Sequence, residues 1–333
     1  MRPMFLTPVL FCTLLLQDLE LSAEQQKIQE QAQQILETVE AFTETKKNKL
    51  KPYASKDKRV YLFSDFRSKE AKIALKDCST ILACLDRSLV EPEDPSECSL
   101  RGIMIEKKRT YEKLCDMLSE NVPSMAGFFL RQRATSGFTL YDPPISIYYF
   151  EGGIKAEASA SHDMAHNFVH LEMNRRYGIL PLWIIEGLAC AGEDGAFGEV
   201  WSNWYRDGFV FSLSHSGWRG KDTQNILEEM KPGFTELFAY TARPYVDTEA
   251  HMAFAFLTYA LEAEPLGLKK FCDLLKVEYG KNYELGGRFV PSVEFQQKTL
   301  LEAFGEGFEA RFRAWWVDPP KWNAWQKGEK KKR

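Results

Sequence analysis

The chain has 333 residues, 44% of them hydrophobic and 27% charged, with ordinary numbers of Gly and Pro. That make-up belongs to a folded protein of one large or two modest domains and excludes a disordered, collagen-like or coiled-coil chain. Lys and Arg number 43 against 47 Asp and Glu, and a net charge of −4 argues against a surface built to neutralise a nucleic-acid backbone.

At the amino end, Arg2 precedes a mostly apolar run over residues 4–16, after which Gln17, Asp18 and Glu20 restore polarity. A bilayer-spanning helix needs about 20 apolar residues, and no segment of the chain reaches that length. Residues 1–23 therefore read as a signal peptide, and the mature protein as exported, periplasmic or extracellular, with no stable membrane span. Without the leader six cysteines remain, Cys78, Cys84, Cys98, Cys115, Cys190 and Cys272. Their even number permits disulfides in an oxidising compartment, but none has C-x-x-C spacing.

Residues 24–58 form an amino-terminal helix and a linker. Ser22 and Gln25 have the form of a capping box, Ile28, Ile35, Val39 and Phe42 recur at helical spacing, and the stretch 45–58 is Lys-rich and contains Pro52. Over 59–154 the pattern alternates. Strands are expected at 59–63 and 100–105, helices at 68–89 and 110–118, and extended segments at 128–141 and 145–150, which together make a small mixed α/β subdomain. From 155 to 317 the pattern is helical. A long helix is expected over 157–177, stopped by Gly178, and another over 181–192 with Pro at its start. An aromatic, loop-rich stretch at 197–218 precedes further helices at 248–262, 268–279, 292–304 and 308–316. Residues 318–333 are a basic, solvated tail.

The histidines are His162, His166, His170, His215 and His251, and three of them stand four apart on one predicted helix. A pair spaced this way is expected by chance roughly 0.08 times in such a chain, so it needs corroboration. Two imidazoles four apart project from one helix face and can reach one zinc ion about 2.1 Å from each. His162 and His166 are that pair. Glu186 supplies a third donor: it follows after a Gly- and Pro-containing turn, inside the apolar run Trp183-Ile184-Ile185-Glu186-Gly187-Leu188-Ala189, where a carboxylate is costly unless paired or metal-bound. Glu193 and Asp194 are the alternative third donors. His170 continues the same face, but a fourth protein donor would close a catalytic site, so it reads as a residue supporting the ligands or a satisfied core histidine. His215 lies in a Ser/Gly loop and reads as surface, while Trp201, Trp204, Tyr205 and Trp218 either wall a cleft or belong to the core.

The run Ser161-His162-Asp163-Met164-Ala165-His166, with Leu182-Trp183-Ile184-Ile185-Glu186-Gly187-Leu188-Ala189 behind it, resembles the peptidase MA-like gluzincin (zincin) metallopeptidases. Their pattern is H-E-x-x-H followed by W-x-x-E-G-x-A, and the likeness spans residues 59–317, close at the two motifs and loose elsewhere. It implies an α+β, zincin-like fold: a small mixed α/β subdomain, an active-site helix pair, and a mainly helical carboxy-terminal half. It further implies Zn²⁺ on His162, His166 and Glu186, and hydrolysis of a peptide or protein substrate by metal-activated water. Tyr245 or His251 would then donate to the oxyanion. The chain departs from the family at Asp163, which stands where relatives carry the Glu that takes the proton of that water. Asp is shorter by roughly 1.5 Å, and a general base must lie within hydrogen-bond reach of the proton it removes. Two functions follow: a zinc metallopeptidase, or a catalytically impaired domain that keeps the scaffold and binds peptide or envelope partners.

Overall fold

The structure is a computed structural model, and it describes residues 23–91, 99–150, 160–178, 180–200, 202–205, 208–211, 218–219, 221–229, 233–239, 247–281 and 291–317. The stretch expected to be a leader, apart from residue 23, and the basic tail lie outside the described residues, as do Cys98, Trp201, His215 and Tyr245.

Helix α1 (Ala23–Glu44) buries Ile28, Ile35, Val39 and Phe42, the stripe that its spacing predicts. The mixed α/β part contains β1 (Lys51–Ala54), β2 (Val60–Ser64), α2 (Ser68–Leu85), β3 (Leu100–Ile105), α3 (Lys108–Asn121), α4 (Ala126–Gln132), β4 (Gly137–Tyr141) and β5 (Pro144–Tyr149). The five strands form one sheet in the order β1-β2-β3-β5-β4. β2, β3 and β5 run parallel, and the antiparallel strands β1 and β4 form its two edges.

Successive strand residues point to opposite faces, and β3 shows how this sheet uses both. Ile103 and Ile105 join Ile145, Ile147, Phe138 and Leu140 against Phe42 of α1, Leu114 and Leu118 of α3 and Phe129 of α4. Leu100 and Met104 join Val60, Leu62 and Tyr148 in a larger core on the other side, with Ala74, Cys78 and Ile81 of α2. Helix α5 (Ala160–Tyr177) lies on that second face with Met164 and Phe168 buried in the same core. Gly102 makes the close approach possible: a Cβ there would stand 2.8 Å from the Phe168 ring and 2.9 Å from Leu62.

After α5 come α6 (Leu182–Phe197), the hairpin of β6 (Ser202–Tyr205) and β7 (Gly208–Phe211), and helices α7 (Lys221–Glu229), α8 (Phe234–Phe238), α9 (Asp247–Ala263), α10 (Pro265–Lys281), α11 (Val293–Phe304) and α12 (Phe308–Val317). Every residue of α6 from Trp183 to Asp194 is buried, which explains a helix apolar on all sides. α2, α5 and α9 surround it. Gly187 lets α9 close in, since a Cβ there would lie 2.6 Å from Leu257 and 2.9 Å from the Ala253 backbone. The helical half is held by an aromatic core in which Phe256 lies within ring-packing distance of Trp183, Phe234, Phe304, Phe308 and Phe312.

The fold is thus mixed α/β with a small five-stranded mixed sheet and a mostly helical remainder. Several local expectations are corrected. The stretch 45–58 contains strand β1, whose Lys51 and Pro52 hide the strand signal on an exposed edge. Residues 128–132 are helical, in α4, because Phe128 and Phe129 turn from one helical turn onto Phe138. The aromatic stretch 197–218 contains the β6–β7 hairpin, and α7 and α8 lie in a region for which no element was expected. The five described cysteines are all buried, and no disulfide joins them. No helix among the described residues is long and apolar enough to cross a membrane.

Candidate metal centre

α5 and α6 pack side by side and bring three donors together. His166 and His170 stand one turn apart on α5, and Glu186 faces them from the second turn of α6. His166 Nε2 lies 3.2 Å from Glu186 Oε2, and His170 Nε2 lies 3.7 Å from Glu186 Oε1. Each of the three residues offers a donor atom within 4.8 Å of the others. Two donors each about 2.1 Å from a tetrahedral zinc ion stand about 3.4 Å apart, so the two observed separations bracket what such an ion needs. The group is closed off from water, with His166, His170 and Glu186 being 0, 5 and 1% exposed. His170 Nε2 makes no hydrogen bond. A buried polar atom left that way costs about 1–3 kcal/mol, a cost that a cation would remove.

The residues behind the donors fit the same use. Glu193, two turns along α6 from Glu186 and fully buried, lies 2.6 Å from His166 Nδ1 and so fixes which nitrogen faces Glu186. Burial pushes the His166 imidazole down, but its hydrogen bonds to Glu186 and Glu193 outweigh burial and raise it to about 10. Burial lowers His170 to about 4 against the weaker pull of Glu186, which keeps it in the neutral form that binds metals.

The arrangement brings together two of the three expected ligands, His166 and Glu186, and differs in the third. His170 takes the place in the donor group that the motif spacing assigns to His162. The partly exposed His162 ring stacks on Phe197 at the end of α6, with centroids 4.0 Å apart and planes 21° from parallel. Burial lowers its imidazole to about 4. Asp163 is 2% exposed on α5, one turn ahead of His166 and two ahead of His170. Burial, and then the charges of Asp163 and Glu186, push the Tyr148 hydroxyl upward, so both carboxylates act electrostatically on that phenol. His251 is buried on α9 with its ring stacked on Trp218 at 4.2 Å, and it is not in the donor group. Trp218 is core, 2% exposed and edge-on to Phe254. Asp194 is not in the donor group: it accepts from Arg219 Nε at 2.6 Å, and Arg219 reaches on to Glu262 of α9.

A polar cluster that no sequence motif marks lies where α5 meets the sheet. Thr139, Ser146, Tyr148 and Asn167 are linked by hydrogen bonds there, Asn167 reaching from α5 to β4 and β5. The available signal was the single polar residue in each of Phe138-Thr139-Leu140 and Ile145-Ser146-Ile147.

No family model matches the chain, and no curated protein does.

Proposed function

We propose that the chain is a zinc-dependent hydrolase of gluzincin type, exported from the cytosol, that cleaves peptide bonds in a peptide or protein substrate. His166, His170 and Glu186 would hold the ion. The observation that carries this reading is the buried convergence of two imidazole nitrogens and one carboxylate at separations suited to a tetrahedral cation. A zinc ion bound there would supply a water of pKa near 7 and polarise a substrate carbonyl. Glu193 keeps the His166 ring oriented through Nδ1. Asp163, buried one turn ahead of His166 on α5, would take the proton of the attacking water and pass it to the leaving amine.

The test is elemental analysis of the purified full chain together with a peptide-library assay. The expected result is about one zinc per chain, cleavage abolished by a chelator and restored by zinc, and an Asp163→Asn variant that keeps its metal and loses turnover. Failure to take up a transition metal under saturating conditions overturns the reading. The near-complete burial of all three donors favours a second reading, a domain that holds the metal and binds peptide without turnover. Bound zinc with no cleavage by either the natural chain or Asp163→Glu would select it.

A further inference from the structure

Asn167 lies between the two histidine donors in the chain, is 1% exposed, and points its side chain at the sheet. Its Oδ1 accepts from the Tyr148 hydroxyl at 2.9 Å and from the Thr139 hydroxyl at 3.1 Å, while its Nδ2 donates to the Asp163 carbonyl at 2.9 Å. Both lone pairs of the amide oxygen are therefore taken. Ser146, opposite Thr139 in the sheet and fully buried, extends the cluster through a 2.9 Å contact between the two hydroxyls. Space for the phenol is built in. Gly137 is the register partner of Tyr148, and a Cβ there would stand 2.1 Å from the Tyr148 ring. An amide held by three hydrogen bonds in a dry interior favours one arrangement of its neighbours and penalises others.

We infer that Asn167 is a positioning residue, keyed by Tyr148 and Thr139, which sets the rotation of α5 about its axis and so decides which histidines face Glu186. The inference rests on the metal-binding reading above. Four apart on a helix, His162 and His166 are as able to share an ion as His166 and His170, so helical spacing alone cannot choose between the pairs. The contact with the sheet chooses, by bonding the Asp163–Asn167 turn to β4 and β5. Both lone pairs of the Asn167 amide oxygen are engaged, and a carboxamide does not titrate near neutral pH, so it serves geometry and takes no part in proton transfer.

The experiment uses the full chain and two variants that each delete one hydroxyl with little change of shape, Tyr148→Phe and Thr139→Val. Ile147→Val, on the opposite face of β5, is the control for general loosening of the sheet. Zinc affinity is measured by competition with a chromophoric chelator, and ligand geometry by the visible absorption of the cobalt(II) form. The expected result for Tyr148→Phe is zinc binding weakened roughly 10- to 100-fold with an altered cobalt spectrum, while Ile147→Val, at a comparable loss in unfolding midpoint, retains both. Should Tyr148→Phe fail to fold, Thr139→Val carries the same expectation. Natural affinity and an unchanged cobalt spectrum in a folded hydroxyl-deletion variant overturn the inference while leaving the metal site standing. A natural chain that binds neither metal overturns both.

Discussion

Replacing His170 by Ala, compared with the same change at His162, separates the donor group seen here from the one that motif spacing implies. Structural zinc sites of four donors release about 10–16 kcal/mol, so each donor accounts for about 2.5–4 kcal/mol, or roughly 10²- to 10³-fold in affinity. In the metal-free chain the change at His170 should be nearly neutral. Removing a buried nitrogen that makes no hydrogen bond regains about 1–3 kcal/mol, which offsets a similar loss of packing at a side chain that is 6% exposed. The effect therefore appears only with metal. At free zinc 100 times the natural dissociation constant, zinc stabilises the natural protein by about 2.7 kcal/mol, and a 100-fold weaker site by about 0.4 kcal/mol. His162→Ala gives the opposite pattern. It loses the stack on Phe197, about 0.5–1.5 kcal/mol with or without zinc, and keeps the zinc increment. The assay is urea unfolding of the two variants and the natural chain, each with and without buffered zinc. A zinc increment that survives His170→Ala and vanishes in His162→Ala would refute the assignment of His170 as a ligand.

Three further outcomes are expected. Gly187→Ala should destabilise the fold by about 1–3 kcal/mol, because the added methyl meets the Ala253 backbone, which cannot swing aside; an unchanged thermal midpoint would contradict this. Burial holds Asp194 up at about 6, against the pull of Arg219, from an unfolded value near 3.8. Between those values the folded state binds the extra proton, so stability falls as pH rises through that window, by up to about 3 kcal/mol. Asp194→Asn should remove that part of the slope, and a pH dependence of the urea midpoint identical in the two proteins would exclude it. Burial raises the thiols of Cys78, Cys84, Cys115, Cys190 and Cys272, so none of the five should react with a thiol reagent at neutral pH until the chain unfolds; mass spectrometry of the labelled native protein would show any that do.

Glu186 was legible because one carboxylate in an apolar run of helical length has few uses other than a partner in the interior. His166 was legible from its spacing to a second histidine. The choice of that second histidine was not, because both neighbours satisfy the same helical geometry, and what separates them is contact with strands some 20 to 30 residues earlier in the chain. Glu193 stood among the alternatives to Glu186, and its bond to His166 Nδ1 depends on how α6 packs against α5, which no local pattern encodes. The strands β2, β3 and β5 were readable from alternation and apolar runs, while their parallel pairing was not. The edge was harder, since β1 carries the Lys and Pro that keep an exposed strand from pairing further and that also mask it as a strand. α4 was misread for a related reason: two adjacent phenylalanines suggest a strand, and only their packing on Phe138 accounts for the helical turn.

Zinc-edge anomalous diffraction from crystals of the full chain grown with zinc addresses the central claim most directly. One strong peak is expected within about 2.1 Å of the Nε2 atoms of both His166 and His170 and of a Glu186 oxygen, with Glu193 still on His166 Nδ1. A peak that includes His162 and leaves His170 aside, or no peak between α5 and α6 at saturating zinc, would contradict it.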